Sequence, residues 1–416
     1  MNQIKQGYKQ TKVGIIPKDW DVVKLNEKSS IQRGRFSPRP RNDPQFYNGD
    51  YPFVQTNDVV NSKGKITNYS QTLNEKGLKV SKLFPQGTIL MTIAANIGFT
   101  GILTRDMTCP DSLVGIQCKK GLFNEFLNFY FIFNQKRIDY LAEEAAQKNI
   151  NLSTLNSFHI PLPPLKEQEK IAEILTTWDE AITKQIELLE AKELLKIALM
   201  QKLLSGEVRF GGFTDEWEEV RLGEIGEFKT SSIDKIINEN ESLVNLINYM
   251  DVYRNKHIDK NFRCSKTSLK EEQYEKVNLK KGDILFTPSS ETPDDIGHSA
   301  VIIEDLPNTV YSYHLVRFRP KKSIDLKFSG YVFNNIDILK EFAKRANGST
   351  RFTLSIKDFN ETKAKLPSLL EQHKIAEVLS LVDDEINLLK NELEELKLQK
   401  KALMQKLLTG EVRVKV

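Results

Sequence analysis

Apolar residues near the end of the chain repeat in alternating steps of four and three. The series is broken only at Lys400 and comprises Ile375, Leu379, Val382, Ile386, Leu389, Leu393, Leu396, Leu403 and Leu407. This spacing places its members on one stripe of a helix and is typical of a coiled-coil seam. A proline precedes the segment, a glycine follows it, and neither residue occurs inside it. The pattern therefore predicts one long helix.

The same segment occurs earlier in the chain as a second copy. When Glu167 is laid on Glu371, Gln168 falls on Gln372 without a gap, and about half of the positions are identical. The stripe of this copy is apolar at both ends and polar in the middle, and its members are Ile171, Leu175, Trp178, Ile182, Gln185, Leu189, Lys192, Lys196, Leu199 and Leu203. A helix of roughly 55 Å exceeds one small domain. We therefore expect the two stripes to face each other in an intramolecular coiled coil; the alternative is that each helix lies on its own globular domain.

The segments that precede the two helices are diverged copies of each other. Three landmarks are retained: Asp19-Trp20 resembles Glu216-Trp217, Asn57-Asp58-Val59 resembles Met250-Asp251-Val252, and Gly87 to Thr92 resembles Gly282 to Thr287. Apolar and β-branched residues follow a glycine in the last pair, which predicts strands opened by turns. Helical patterns close each segment, so each reads as a mixed α/β domain of roughly 150 residues.

These patterns predict an α+β fold in which two α/β domains are joined by two long conserved helices. The predicted boundaries are 1–162 for the first domain, 163–209 for the first helix, 210–366 for the second domain and 367–416 for the second helix. Globule and helix therefore alternate twice along the chain.

Composition narrows the class of protein. The 39% of hydrophobic residues in 416 is ordinary for a chain that folds into domains with real cores. The N-terminal segment has no apolar stretch of the signal-peptide kind, and no segment approaches eighteen consecutive apolar residues, so we expect neither secretion nor a membrane partner. Cys109, Cys118 and Cys264 are too scattered for a disulfide framework or a zinc site, which favours a reducing cytoplasm.

The net charge is only +4, so any basic surface for nucleic acid must be local. Two clusters are candidates: Arg33, Arg35, Arg39 and Arg41 in a loop rich in glycine and proline, and Arg254, Lys256, Lys260, Arg263 and Lys266 after Tyr249 and Tyr253. Basic side chains beside aromatic ones are suited to DNA phosphates and sugars. A solvated charged face is the alternative for each cluster, and tyrosines at this spacing are also common in half-buried packing.

A polar loop before the second conserved helix is a further candidate for DNA contact. Its suitable side chains are Arg345, Asn347, Ser349, Thr350 and Arg351, and the corresponding residues in the first domain are Lys148, Asn149 and Asn151. Such side chains hydrogen-bond base edges and phosphates, and Gly348 permits close approach of the backbone. A polar interdomain turn would have the same composition.

Each long helix opens with Pro-x-Leu-x-Glu-Gln-x-Lys-Ile-Ala-Glu and closes with Leu-Met-Gln-Lys-Leu-Leu-x-Gly-Glu-Val-Arg. With two variable domains between these elements, the whole chain resembles the specificity subunit of a Type I restriction-modification enzyme. The resemblance implies two target-recognition domains that each read half of a split site in double-stranded DNA. It also implies an antiparallel helical spacer that docks two methyltransferase subunits within a complex containing restriction and translocase subunits, in a pseudo-two-fold symmetric arrangement.

Catalytic motifs do not appear in the sequence. There is no Asn-Pro-Pro-aromatic or Asp-Pro-Pro-Tyr element for amino-group methylation and no phosphate-binding glycine loop, and the five histidines are dispersed. We therefore expect a recognition subunit that is not itself an enzyme and that holds no cofactor or metal. Two alternatives remain at this point: a coiled-coil adaptor without DNA contact, which leaves the two domains unexplained, and a stand-alone DNA-modifying enzyme, which the missing motifs oppose.

Overall fold

The computed structural model describes residues 4–143 and 149–416. Two compact units make up the chain, and each contains one domain together with parts of both long helices. Unit 1 comprises Met1–Ile186 and Glu392–Val416, and unit 2 comprises Glu187–Asn391. Among the described residues, no helix combines the length and apolar character needed to cross a membrane.

The domain of unit 1 is built of short strands and helices. Its strands are β1 (Tyr8–Thr11), β2 (Gly14–Pro17), β3 (Asp21–Lys24), β4 (Ser29–Arg33), β5 (Tyr47–Phe53), β6 (Lys65–Ile66), β7 (Gln71–Leu73), β8 (Leu83–Phe84), β9 (Ile89–Thr92), β10 (Thr100–Leu103), β11 (Met107–Thr108), β12 (Leu113–Cys118) and β13 (His159–Leu162). Its helices are α1 (Leu25–Lys28), α2 (Thr56–Val60), α3 (Glu75–Val80), α4 (Asn124–Phe133), α5 (Gln135–Glu143) and α6 (Leu152–Asn156), followed by the first long helix, α7 (Leu165–Ser205).

The domain of unit 2 has a similar sequence of elements. Its strands are β14 (Glu218–Arg221), β15 (Gly226–Thr230), β16 (Ser242–Ile247), β17 (His257–Ile258), β18 (Ser265–Leu269), β19 (Ile284–Phe286), β20 (Ser289–Ser290), β21 (Ser299–Ile302), β22 (Thr309–Tyr311), β23 (Val316–Pro320), β24 (Phe352–Thr353) and β25 (Lys363–Leu366). Its helices are α8 (Leu222–Ile225), α9 (Tyr249–Arg254), α10 (Glu271–Val277), α11 (Leu326–Val332), α12 (Ile336–Arg345) and α13 (Ile356–Glu361), followed by the second long helix, α14 (Leu369–Leu408).

The main sheets of the two domains share one topology. Strand order is β4-β12-β9-β10-β6 in unit 1 and β15-β23-β19-β21-β17 in unit 2, and all but the last pairing in each sheet are antiparallel. The matching strands β9 and β19 contain the landmark that follows Gly87 and Gly282. Because strand order depends on pairings between distant segments, this agreement establishes that the two domains are copies of one fold.

The landmark that contains Asp58 in one domain and Asp251 in the other lies at the start of a helix in both. The Asp58 side chain accepts from the backbone N–H of Gln55 at 2.7 Å at the start of α2, and the Asp251 side chain accepts from that of Asn248 at 2.8 Å at the start of α9. Each carboxylate satisfies a backbone donor that the helix leaves free. The aspartate is therefore retained because it fixes the chain direction after β5 in one domain and after β16 in the other.

Both long helices end at a glycine in the left-handed region. Gly206 has φ +76° and Gly410 has φ +71°, values that a residue with a side chain rarely adopts. The N–H of Val208 donates to the carbonyl of Lys202, and the N–H of Val412 donates to that of Lys406, so in each copy the chain after the glycine folds back onto the last turn of the helix.

Within each unit the two helices run antiparallel. In unit 1, Asp179 of α7 pairs with Lys400 of α14, and Gln185 donates to Glu392 at 3.1 Å. Partner numbers on α14 fall as those on α7 rise, which defines the direction. Unit 2 repeats the arrangement through the Lys196–Asp383 pair. The predicted α+β fold with two long helices in a coiled-coil pairing is confirmed.

The apolar ends of the stripes enter the domain cores. Ile171, Leu175 and Leu407, with Met404 beside the stripe, are buried in the core of unit 1, and Leu203, Ile375 and Leu379 are buried in that of unit 2. Each core thus contains the beginning of one long helix and the end of the other.

Candidate nucleic-acid interface

The four candidate arginines of unit 1 lie at the end of β4 and in the loop between β4 and β5. Arg33 Nε donates to the backbone oxygen of Asp111 at 2.8 Å, and Arg41 Nη2 donates to both carboxylate oxygens of Asp111 at 2.8 and 3.0 Å. Asp111 thereby draws these two exposed arginines together. A guanidinium has five N–H donors, so each retains donors for a ligand.

The two remaining arginines of this loop hold backbone carbonyls. Arg35 Nη2 donates to the oxygen of Ser81 at 2.8 Å, and Arg39 Nη1 donates to that of Pro38 at 2.8 Å. Both residues are exposed. All four candidate arginines of the first domain are therefore on the surface, and these hydrogen bonds hold the segment that carries them in place.

The polar segment before α7 is positioned against a tight loop between β9 and β10. Asn149 forms a β-bridge with Ala94, and Asn151 Oδ1 caps α6 by accepting from the N–H of Thr154 at 2.8 Å. Ala95 and Asn96 have φ values of +46° and +49°, so this loop contains two residues in the strained left-handed region. Lys148 lies outside the described residues. The contacts of Asn151 favour a structural role for it.

Unit 2 has an equivalent contact between the segment that precedes the long helix and the connection that follows the central strand of the sheet. We call this contact the junction. β20 and β24 pair through Ser289 with Thr353, and Asn347 and Thr353 exchange two backbone hydrogen bonds of 3.1 and 2.9 Å. The loop before β24 therefore closes onto the connection that follows β19, as the loop at Asn149 closes onto the one that follows β9. Arg351, at the tip, is exposed and its Nη2 lies 3.4 Å from Ser289 Oγ.

A pair of tyrosines on α9 lies beside this junction. The rings of Tyr249 and Tyr253 are 6.1 Å apart and nearly parallel, and Tyr249 donates to the backbone oxygen of Ser289 at 2.8 Å. Tyr253 donates to Asp295 at 3.0 Å, and His298 Nε2 lies 2.9 Å from the same carboxylate. The hydrogen bond to Asp295 raises the pKa of Tyr253. These contacts hold an aromatic surface next to the loop that contains Arg351.

The other candidates of the second domain divide into two groups. Arg254, Arg263, Ser349 and Thr350 are exposed. Arg345 instead pairs with Glu361 at 3.2 Å, and Lys256 Nζ lies 3.3 Å from Met200 Sδ and above the ring of Tyr331. Burial, with a smaller contribution from nearby Lys196, lowers the pKa of Lys256 to about 8. These contacts favour structural roles for Arg345 and Lys256.

The Glu-Gln pair that opens each helix has a role that sequence reasoning missed. Glu167, almost fully buried, accepts from Arg413 Nε at 2.7 Å and from Trp20 Nε1 at 3.0 Å. In unit 2, Glu371 accepts from Arg209 through two bonds of 2.8 and 2.7 Å. The opening glutamate of one helix is thus joined to the closing arginine of the other. The signal was present in the repeat, because both residues recur in each copy.

The glutamine next to this glutamate joins the helix to its domain. Gln168 Oε1 accepts from the N–H of Phe123 at 2.8 Å, and Nε2 donates to the oxygens of Gly121 and Pro163 at 3.0 and 2.8 Å. Gln372 similarly accepts from the N–H of Asp325 and donates to Pro367, both at 2.9 Å. The two domains differ in sequence, but each is therefore attached to its long helix by hydrogen bonds from an equivalent glutamine side chain.

These features define a protein with two surface loop systems, one on each copy of an α/β domain, attached to a repeated helical scaffold. The sequence matches the family described as Type I restriction modification DNA specificity domain twice, over residues 17–191 and 214–398. The chain belongs to this family. Its identification as a specificity subunit, a recognition component and not the enzyme of its system, is thereby confirmed.

Individual relatives extend over nearly the whole chain. It is 26% identical to the Type I restriction enzyme MjaIX specificity subunit of Methanocaldococcus jannaschii, covering 98% of this chain and 96% of the relative. The fold is similar to a chain in a structure of the type I R-M system, with a TM-score of 0.64, 18% identity and coverage of 95% and 99%. It is also similar to the Type I S subunit from M. genitalium, with a TM-score of 0.52, 19% identity and coverage of 93% and 96%.

Proposed function

We propose that this chain reads a bipartite site in double-stranded DNA, with one half-site bound by each domain, and that the long helices set the gap between them. The repeated junction carries this proposal. In both domains the loop before the conserved helix closes onto the connection after the central strand, while the exposed side chains on these loops differ. One scaffold with two different loop surfaces is suited to two different half-sites.

In the first domain the proposed contacts are Arg33, Arg35, Arg39 and Arg41. These exposed guanidinium groups are chemically suited to phosphates and to guanine edges. Lys148, Asn149 and Asn151 complete the candidates of this domain, and among them Asn151 is the weakest because its side-chain oxygen is used in the α6 cap.

In the second domain the proposed contacts are Tyr253, Arg254, Arg263, Ser349, Thr350 and Arg351. Arg351 is the candidate that we expect to read a base, since it lies at a loop tip beside the paired tyrosine rings. The side chain of Asn347 supports the loop by a hydrogen bond, Arg345 pairs with Glu361, and Lys256 packs against the long helix. We therefore do not propose Arg345 and Lys256 as principal DNA contacts.

The same proposal assigns partners to the helices. Two methyltransferase subunits dock on the helical scaffold, and restriction and translocase subunits complete the complex in the cytoplasm. The chain would then supply specificity, and its partners would supply the chemistry.

A methylation map of cells that express this chain with its methyltransferase subunit tests the proposal. Exchanging the first domain, up to Leu162, for that of another family member should change one half-site and leave the other half-site and the gap unchanged. A change of both halves together would contradict independent reading. Measuring duplex binding by the chain and its partner adds a second test, in which absence of DNA binding would favour the adaptor alternative.

Single substitutions sharpen the test. Arg351→Ala should weaken binding by about 1–3 kcal/mol and relax specificity in one half-site if Arg351 reads a base, or weaken all duplexes equally if it holds a phosphate. Arg345→Ala is the matched control, because its guanidinium is engaged with Glu361 and its loss should lower stability first. Unchanged binding by Arg351→Ala would remove this loop from the interface.

A further inference from the structure

Four of the exposed leucines on the helix pair of unit 2 flank a single ion pair between the two helices. They are Leu188 and Leu195 on α7, with exposed fractions of 43% and 46%, and Leu381 and Leu388 on α14, with exposed fractions of 62% and 58%. We call them the leucine quartet. Leucines on the outer surface of a coiled coil add nothing to its seam, and their exposure to water is unfavourable unless another contact covers them.

An ion pair places the quartet on one face. Lys192 of α7 and Glu385 of α14 are joined at 2.7 Å. Lys192 follows Leu188 by four positions and precedes Leu195 by three, and Glu385 has the same relation to Leu381 and Leu388. Residues three or four apart are neighbours on a helix surface. The antiparallel direction therefore sets Leu188 opposite Leu388 and Leu195 opposite Leu381, in two tiers about 10 Å apart.

The internal repeat supplies a comparison within the same chain. The alignment that lays Glu167 on Glu371 lays Leu188 on Glu392, Leu195 on Gln399, Thr177 on Leu381 and Lys184 on Leu388. All four residues at the equivalent positions of unit 1 are polar and exposed. The helix pair thus presents an apolar face in one unit and a polar face at the same positions in the other.

We propose that the leucine quartet is the primary docking surface for an apolar helical ridge of the methyltransferase subunit, and that the equivalent polar face of unit 1 binds the second copy more weakly. This inference rests on the docking role proposed above. Its consequence is ordered loading, in which a complex with one partner subunit at unit 2 precedes the complex with two.

The chemistry of the face indicates a helix as the occupant. Ala191 and Ala198 lie beside the leucines of α7, and the series Leu188, Ala191, Leu195, Ala198 follows steps of three, four and three. This is the spacing of a second helical seam, and its small alanines allow another helix to approach closely. An amphipathic helix of a partner fits such a surface.

The size of the patch favours a partner subunit over a second copy of this chain. Four half-exposed leucines present apolar area on the order of a few hundred Å², a size typical of functional patches on monomers. Two quartets meeting each other would bury less than the roughly 1,000 Å² expected of a stable interface. The surface is therefore the apolar centre of a larger contact that the partner completes.

Titration of the full chain with the methyltransferase subunit of its own system tests the proposal. Native mass spectrometry and calorimetry should find two binding steps that differ by about tenfold or more, with a one-to-one complex accumulating first. A variant that takes its residues from unit 1, Leu188→Glu, Leu195→Gln, Leu381→Thr and Leu388→Lys, should lose the tight step and keep the weak one.

The matched control reverses the exchange. Thr177→Leu, Lys184→Leu, Glu392→Leu and Gln399→Leu should strengthen the weak step about tenfold. Because all eight positions are exposed, unchanged thermal unfolding of each variant checks that its fold is intact. Two equal steps in the unaltered chain, or a tight step that survives loss of the quartet, would overturn the proposal while docking itself stands.

Two further outcomes would also overturn it. If neither unit bound the methyltransferase subunit, the docking role on which this proposal rests would be removed. Dimerisation of the chain alone, abolished by the quartet variant in sedimentation, would identify the leucines as a contact between copies of this chain.

Discussion

The buried glutamine at each helix start offers a direct test of how a domain is joined to the scaffold. Gln168 makes three hydrogen bonds to its domain and helix start, and Gln372 makes two. Methionine matches glutamine in size and helix propensity but has no amide. The change Gln168→Met therefore removes the hydrogen bonds and little else.

The expected magnitude follows from the number of bonds. Each lost bond that leaves a partly buried partner unsatisfied costs about 1–1.5 kcal/mol, at the lower end of the range for such groups. Gln168→Met should thus destabilise unit 1 by about 3–5 kcal/mol, and Gln372→Met should destabilise unit 2 by about 2–3 kcal/mol. Lys170→Met, at a half-buried residue of the same helix whose ammonium pairs with Glu173 on the surface, serves as the control and should stay within about 0.5 kcal/mol.

Hydrogen exchange followed by mass spectrometry separates the two units, which a single unfolding midpoint does not. Gln168→Met should speed exchange in α4, whose first turn follows Phe123, and leave α11 unchanged. Gln372→Met should have the opposite pattern. Equal acceleration in both helices, or none in either, would refute the idea that each glutamine holds only its own domain.

Three other outcomes are expected. Gly206→Ala should cost about 1–2 kcal/mol in thermal unfolding because of its positive φ, and Gly410→Ala should cost more, since its Cβ would lie 2.4 Å from a proline of β2; equal losses would contradict this. Burial lowers the pKa of Lys256 from 10.5 to about 8, so the unfolded chain binds the extra proton between these values. The native chain should therefore gain stability relative to Lys256→Met as pH rises from 8 to 10.5 in urea titrations, and a constant difference would refute the burial argument. A fragment of residues 1–209 should form an antiparallel dimer in light scattering, because the closing half of α7 in each copy can replace the closing half of α14, which the fragment lacks; a monomer at high concentration would contradict this.

The long helices were predictable because the duplication supplied their evidence twice. A proline start, a glycine stop and a continuous apolar stripe are local signals, and they agree with the observed helices. What the sequence did not reveal is why Lys196 and Lys400 interrupt the stripe. Their partners, Asp383 and Asp179, come from the opposite helix, and the helix register that brings them together is a property of tertiary packing.

The loops proposed to contact DNA were less predictable for the same physical reason. The sequence does not distinguish Arg345 from Arg351 as a DNA contact, since both lie near a glycine in the same polar segment. Only the fold places Glu361 beside the first and leaves the second exposed at a loop tip. Likewise, the stacked tyrosines of α9 gain their position from Asp295 and Ser289, which lie in a distant connection.

Unit 1 combines two segments that are far apart in the sequence, and this has a consequence for folding during synthesis. Its core requires Met404 and Leu407, and the hydroxyl of Tyr8 donates to the carbonyl of Gly410 across 402 positions of sequence. Contacts of such separation form late, because the intervening chain must exist before its ends can meet. The domain of unit 1 therefore waits for residues 404–410, while unit 2 becomes complete at Asn391. A released polypeptide that ends just beyond that point would have unit 2 complete and unit 1 without part of its core, and therefore open to proteases.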